Sequence, residues 1–180
     1  MSAKVTSSSL WQVIGMLLYA LLISFGAQFE IDIAGILPLT GQTLVVLTTA
    51  LFTSLRTSSG AVMLYLLLGL IGFPVYADGH SGWEHFTGSS LGYFLGFFVA
   101  AALVSYNRKT CSGNFLSSFL VLFLGHLMIL IVGSLFLLRY FSFSEAFSKG
   151  FQPFITGAML KSVLGAAIYL LLQSFIKRVR

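Results

Sequence analysis

Long stretches without a charged residue alternate along this chain with short polar knots. Five uncharged runs cover 5–29, 33–55, 57–77, 86–107 and 110–138, and a sixth, 150–176, is broken only by Lys161. Each reaches the roughly 20 residues that a helix needs to cross about 30 Å of hydrocarbon. The pattern predicts an all-α integral membrane protein of six transmembrane helices, organised as one domain over 1–180. The first run follows Lys4 and ends near the small residues of "SFGAQ", as a cleaved leader would, but 25 residues without charge suit an anchored helix better.

Composition strengthens this reading. With 57% apolar and 8% charged residues and a mean hydropathy of +0.96, the chain carries more apolar surface than a soluble core of 180 residues can bury. The one cysteine, Cys111, has no partner for an internal disulfide and reads as structurally inert.

Charge sets the expected orientation. Six helices bring both termini to one face together with the loops near 56 and 108, and these segments hold Lys4, Arg56, Arg108, Lys109, Lys177, Arg178 and Arg180 without any acid. The opposite face holds Glu30, Asp32, Asp78, Glu84 and Glu145, with Arg139 and Lys149. Basic loops remain in the cytoplasm, which predicts cytoplasmic termini in a bacterial inner membrane. The pI near 9.6 therefore reports topology rather than nucleic-acid binding.

Lys161 is the anomaly in this pattern. No carboxylate lies in a predicted helix, and eight residues from Pro153 place the ammonium about 12 Å along the sixth helix, too deep for easy snorkelling. An intramembrane ionisable residue marks a substrate or ion site, although a deprotonated amine or a cation capped by helix carbonyls is the alternative. Gly157 and Gly165 lie one turn to either side, and Ala158, Ser162 and Ala166 fill the adjoining stripe, leaving little bulk around the charge. In the fourth helix Gly88, Gly92, Gly96 and Ala100 form a small-residue ridge suited to close packing.

Further polar groups gather toward the same outer side: Gln28, Thr40, Gln42, Thr43 and Tyr93. The loop "PVYADGHSGWEHFTGS", residues 74–89, combines glycines, Tyr76, Trp83, two histidines and two acids, a composition suited to a lid over a small molecule. Trp83 and Tyr76 would equally suit an interfacial aromatic belt. His80 and His85 lack a third ligand for a metal site, and His126 reads as a packing residue. No phosphate-binding "GxxxxGK[ST]", "HExxH" or "GxSxG" motif occurs, so the chain reads as a non-enzyme without cofactor or metal. Transport against a gradient would need energy from a partner ATPase or an ion gradient.

The run "LTGQTLVVLTTALFTSLRTSSGAVMLYLLLGLIGFPVYA", followed by "GSSLGYFLGFFVAAALV" and flanked by "SFGAQ" and "QPFITGAMLK", resembles BioY, the substrate-binding (S) component of energy-coupling factor biotin transporters. The resemblance covers all six helices in order. Gln42 falls on the family's "TxQT" motif, Gly69, Gly72 and Pro74 on "GLxGxPV", Tyr93 on "GPTGGY", and Lys161 on the lysine of "PFxPGDxxK". Two departures stand out: Thr156, Gly157 and Ala158 replace Pro-Gly-Asp, removing the family's ligand-binding aspartate, and "GSSLGY" replaces "GPTGGY". The resemblance implies biotin binding by Lys161, Gln42, Asp78, Tyr93, Trp83 and Gly157, with Asp78 as the nearest substitute acceptor. It also implies a transmembrane T component and two ABC-type ATPases as partners, ATP being used by those ATPases. Ala20, Ser24 and Ala27 on the first helix would form the partner-facing strip, or else pack within the same chain. The alternatives are uptake of another small carboxylate, such as a biotin precursor, and a membrane scaffold without ligand.

Overall fold

The computed structural model describes residues 2–33, 37–111 and 113–179. Arg180 and the side chains of Lys4, Glu30 and Asp32, which entered the charge pattern, lie outside the described residues. Six principal helices follow the uncharged runs: α1 (Ser2–Ala27), α2 (Gln42–Phe52), α3 (Leu55–Leu70), α5 (Leu91–Asn107), α6 (Phe115–Leu137) and α8 (Phe154–Val179). Two short helices, α4 (Gly82–Thr87) and α7 (Phe143–Gly150), lie in connections, and strands β1 (Glu30–Ile33) and β2 (Leu37–Thr40) pair antiparallel between α1 and α2.

The helix starts follow local chemistry. Ser54 opens α3 by accepting from Thr57 N, Asn114 opens α6 by accepting from Leu116 N and Ser117 N, and Ser142 with Glu145 forms a capping box on α7. These side chains satisfy amides that have no partner in the first helical turn. α1, α6 and a stretch within Phe143–Arg178 are long and apolar enough to cross a membrane.

The run 33–55 behaves differently from its prediction. It divides into strand residues and α2, whose 11 residues extend about 16 Å, roughly half the hydrocarbon thickness. Charge alone could not reveal that break, because Pro38, Thr40 and Gly41 are uncharged but interrupt helix formation by proline, turn and glycine chemistry.

Hydrogen bonds define the two ends of the bundle. At one end, Gln28 Nε2 donates to Tyr76 O at 2.9 Å, and Tyr93 OH donates to Gly150 O at 2.7 Å. At the other, Ser105 Oγ donates to Thr53 O at 2.9 Å, while Phe52 packs on Tyr169. Asp78, Glu84, Arg139, Glu145 and Lys149 therefore fall at the first end, and Arg56, Arg108, Lys109, Lys177 and Arg178 at the second. Among the described residues the one ion pair is Lys149–Glu145, at 3.7 Å. Cys111 is fully buried in the connection before α6.

Close approaches depend on glycine. α5 packs against α6 where a Cβ on Gly96 would lie 2.9 Å from Ile129 Cα and one on Gly92 would lie 2.3 Å from Phe136 Cβ. Gly88 does not join that ridge; it ends α4, its N–H donating to Glu84 O. Tyr76 is wholly buried, donates to Leu66 O at 2.7 Å and packs against Tyr65 and Phe94. The ring occupies space left by Gly69, where a Cβ would fall 2.1 Å from Tyr76 Cζ.

Gly69→Ala should consequently expel the Tyr76 ring and destabilise this end of the bundle by about 1–3 kcal/mol. Limited proteolysis in detergent should then cut within 77–90 faster than in the parent chain; an unchanged cleavage rate would refute the anchor.

Candidate functional site

The stripe around Lys161 faces the bundle. Gly157, Ala158, Ser162, Gly165 and Ala166 are all buried, and Gly165 admits α2 so closely that a Cβ there would lie 2.6 Å from Thr48 Oγ1. This approach brings the first turn of α2 beside α8, and Lys161 Nζ donates to Thr43 Oγ1 at 3.2 Å. No described carboxylate lies within ion-pair distance of the ammonium. Its partner is a neutral hydroxyl, which leaves most of the hydrogen-bonding capacity of an –NH3+ group unused.

Lys161 opens into a cavity of about 420 Å³, within the roughly 300–1,000 Å³ range of small-molecule sites. Thr40, Gln42, Thr43, Asp78, Ser90, Tyr93, His126 and Lys161 supply its polar groups, while Phe97, Ile129, Leu130 and Phe154 supply apolar wall. Ala158 lines it with a methyl group. Gln42 is buried and donates from Nε2 to Tyr65 OH at 2.5 Å, which fixes its amide at the cavity edge. Tyr93 is held by Gly150 O and fits because Gly133 lacks a side chain; a Cβ there would lie 2.3 Å from the tyrosine ring. Asp78 lies in a 3-10 turn, Ala77–Gly79, with φ +56°, a left-handed conformation that aspartate tolerates better than most residues.

Four predicted binding residues, Lys161, Gln42, Asp78 and Tyr93, thus line one cavity. Trp83 does not: it is 67% exposed on α4 and stands outside the lining, as an amphipathic aromatic does at a membrane boundary. Gly157 is buried beside the cavity without lining it. Gln28 binds the connection after α3 instead of the cavity. His126, read from sequence as packing, lines the site, and the solitary imidazole in an apolar run was the available signal.

Two residues of the expected partner strip lie inside the chain's own bundle, as the alternative of packing within the same chain has it. Ala20 and Ala27 are each 1% exposed, and Ser24 Oγ donates to Ala20 O within α1 at 2.9 Å. Ala20 and Ala27 thus lie on the inward face of α1, which packs against α2 and α3, while Ser24 is half-buried. A neighbouring glycine makes the reason visible: a Cβ on Gly26 would lie 2.7 Å from Val45 Cγ2 and 3.2 Å from Gly41 O. Ala20 and Ala27 therefore offer no open face to a second protein.

Above the cavity, His85 stacks on His80 with ring centroids 4.7 Å apart, and contacts Tyr76 at 5.5 Å. His80 Nδ1 donates to Ala77 O at 2.9 Å, tying the pair to the Asp78 turn. Burial, and then the neighbouring His80, hold the His85 imidazole below its ordinary pKa, against an opposing pull from Asp78.

The chain's sequence and fold match known proteins closely. The BioY family profile covers residues 1–178. A biotin transporter BioY2 of Lactococcus lactis is 36% identical over 133 residues, 72% of either chain. A biotin transporter BioY of Thermotoga maritima is 30% identical over 166 residues, 90% of this chain and 95% of the relative. In fold, the chain resembles a crystal structure of the S-component for biotin from an ECF-type ABC transporter, with a TM-score of 0.80 at 21% identity, covering 97% of this chain and 95% of the other.

A depressed histidine pKa favours the docked loop with a neutral imidazole above the unfolded value, and that contribution is lost as pH falls through the folded value. NMR titration should place His85 below 6.5, and His80→Ala should raise it; a pKa unmoved by that change would exclude the stacked pair as a cause.

Proposed function

The chain belongs to the BioY family, and on that premise we propose that it is the biotin-binding subunit of a vitamin uptake transporter. It captures biotin from the outer side of the bacterial cytoplasmic membrane and releases it to the cytoplasm, acting as one membrane domain over 1–180 with cytoplasmic termini. Lys161 carries this reading: an ammonium in a cavity inside an apolar bundle, with a hydroxyl as its protein partner. Such a group has no structural task that a leucine would not do at lower cost. It awaits a ligand oxygen.

Biotin suits the remaining lining. Its cyclic urea presents one carbonyl and two N–H groups, its fused thioether ring is apolar, and its tail ends in a carboxylate. The cavity pairs donors and acceptors with an aromatic and aliphatic wall. Asp78, in the place of an acceptor that Ala158 does not provide, would accept from one urea N–H at the cavity mouth. This chain binds without bond-making chemistry. Accumulation would require a transmembrane T component and two ABC-type ATPases that use ATP and reorient the subunit. The burial of Ala20 and Ala27 favours a contact surface for these partners elsewhere on the chain.

The replacement of an acidic residue by Ala158 favours one second reading, a small carboxylate related to biotin, such as a precursor that lacks the urea. Competition between biotin and a urea-free analogue for the purified chain separates the two: biotin should displace the analogue and not the reverse.

Lys161→Ala should weaken biotin binding by about 2 kcal/mol or more, near thirtyfold, because a charge-assisted hydrogen bond in a dry site is lost. Equilibrium binding to the detergent-purified chain measures this, and unchanged affinity in a folded variant would withdraw the assignment. Asp78→Asn keeps a residue that tolerates positive φ, yet should reduce affinity by about 1–3 kcal/mol. Glu145→Ala, in the α7 capping box, should not; equal losses would indicate a general surface-charge effect.

A further inference from the structure

We propose that His126 binds the ligand directly, its Nε2 accepting a hydrogen bond from a ligand N–H. This rests on the biotin reading above, under which the donor is one N–H of the cyclic urea. His126 lies on α6, is 4% exposed and lines the same cavity as Lys161.

Its tautomer follows from its neighbours. Nδ1 lies 3.0 Å from Leu122 O and 3.0 Å from Ser162 Oγ. A carbonyl oxygen only accepts, so Nδ1 carries the proton. Ser162 directs its own hydroxyl proton to Ala158 O at 2.7 Å, which leaves Ser162 Oγ an acceptor toward the ring as well. Both neighbours require the same tautomer, and the neutral ring then presents Nε2 as a lone pair. That atom is buried and has no hydrogen-bond partner among the described residues.

A histidine kept for packing would have both nitrogens satisfied or one facing solvent. Here Nδ1 is held by α6 and α8 while no described residue holds Nε2, so the protein orients the ring and leaves its acceptor for something else. Lys161 supplies a donor to the same cavity. A cyclic urea carries a carbonyl with an N–H directly beside it, and a donor and a neutral acceptor on one cavity wall match that pair. A carboxylate would instead set its own lone pairs against Nε2. His126 thus selects for the urea end of a ligand and would disfavour an acid that lacks it.

The test compares biotin with its two cyclic carbamate analogues, in each of which one urea N–H is replaced by a ring oxygen. Dissociation constants would be measured on the full chain in detergent, for the parent, His126→Phe and His126→Gln. The parent should prefer biotin over one of the two analogues by roughly tenfold. His126→Phe should bind biotin about tenfold more weakly and lose that preference, whereas His126→Gln, which retains an acceptor, should recover part of it. Unchanged biotin affinity in His126→Phe, a preference that survives in it, or equal loss of all three ligands in both variants would overturn the proposal while leaving the biotin reading intact. A parent chain that binds no biotin would overturn that reading, and this inference with it.

Discussion

An ammonium group carried inside an apolar helical bundle constrains everything around it. On insertion scales a lysine at the centre of a membrane helix costs about 2.5–3.5 kcal/mol, so its surroundings must supply polarity or water. Here the short α2 does so. Because α2 begins at Gln42, its first turn lies level with Lys161, and Thr43 meets Nζ directly. A full-length helix in that position would fill the space with side chains. The strands and polar residues before α2 are the kind of non-helical backbone that membrane depth tolerates only where it borders a cavity.

The cavity keeps its shape through glycines that admit aromatic rings. Gly69 makes room for Tyr76, and Gly133 for Tyr93, with Cβ clearances of 2.1 and 2.3 Å respectively. Each tyrosine then donates its hydroxyl to a distant carbonyl, Leu66 O and Gly150 O. One pin ties the connection after α3 to the core, and the other ties the end of α7 to α5. Within lipid, where apolar contact supplies little association drive, such close approaches and buried hydrogen bonds carry much of the specificity of helix packing.

Much of this was legible in the sequence, for identifiable reasons. Charge-free runs located the six principal helices because bilayer thickness imposes a length, and Lys161 pointed to the cavity it lines because hydrocarbon penalises a charge. The hairpin and shortened α2 were hidden inside one such run, since backbone breaks there come from Pro38 and Gly41 and carry no charge signal. Small residues on α1 were ambiguous for a different reason: their spacing describes close packing without naming the partner, and Ala20 and Ala27 are buried in the bundle where α1 meets α2 and α3. Trp83 and Tyr76 read alike in the same loop, yet one is 67% exposed and the other fully buried. Only the presence of Gly69 opposite Tyr76 separates them. His126 read as a packing residue, because a sequence shows an imidazole and not which of its nitrogens is already occupied.

The pins also determine which part of the outer end can move. Tyr76 is fixed on one side by the core and Gln28, and α5 is fixed on the other by Tyr93 and its close contact with α6. Between them, Ala77–Ser90 contains the Asp78 turn, the His80–His85 stack and α4, and within this stretch no helix longer than six residues is formed. Lifting it breaks the Tyr76–His85 contact, the stack of Phe86 on Phe94 and the hydrogen bond from Tyr76 N to His80 O, whereas moving any principal helix breaks a glycine-mediated seam. A short, turn-rich stretch held by a few contacts is the kind of segment that opens locally before a packed helix does. The same stretch carries Asp78, which lines the cavity, so under the proposed reading a ligand that engages this carboxylate would also hold the stretch against the bundle.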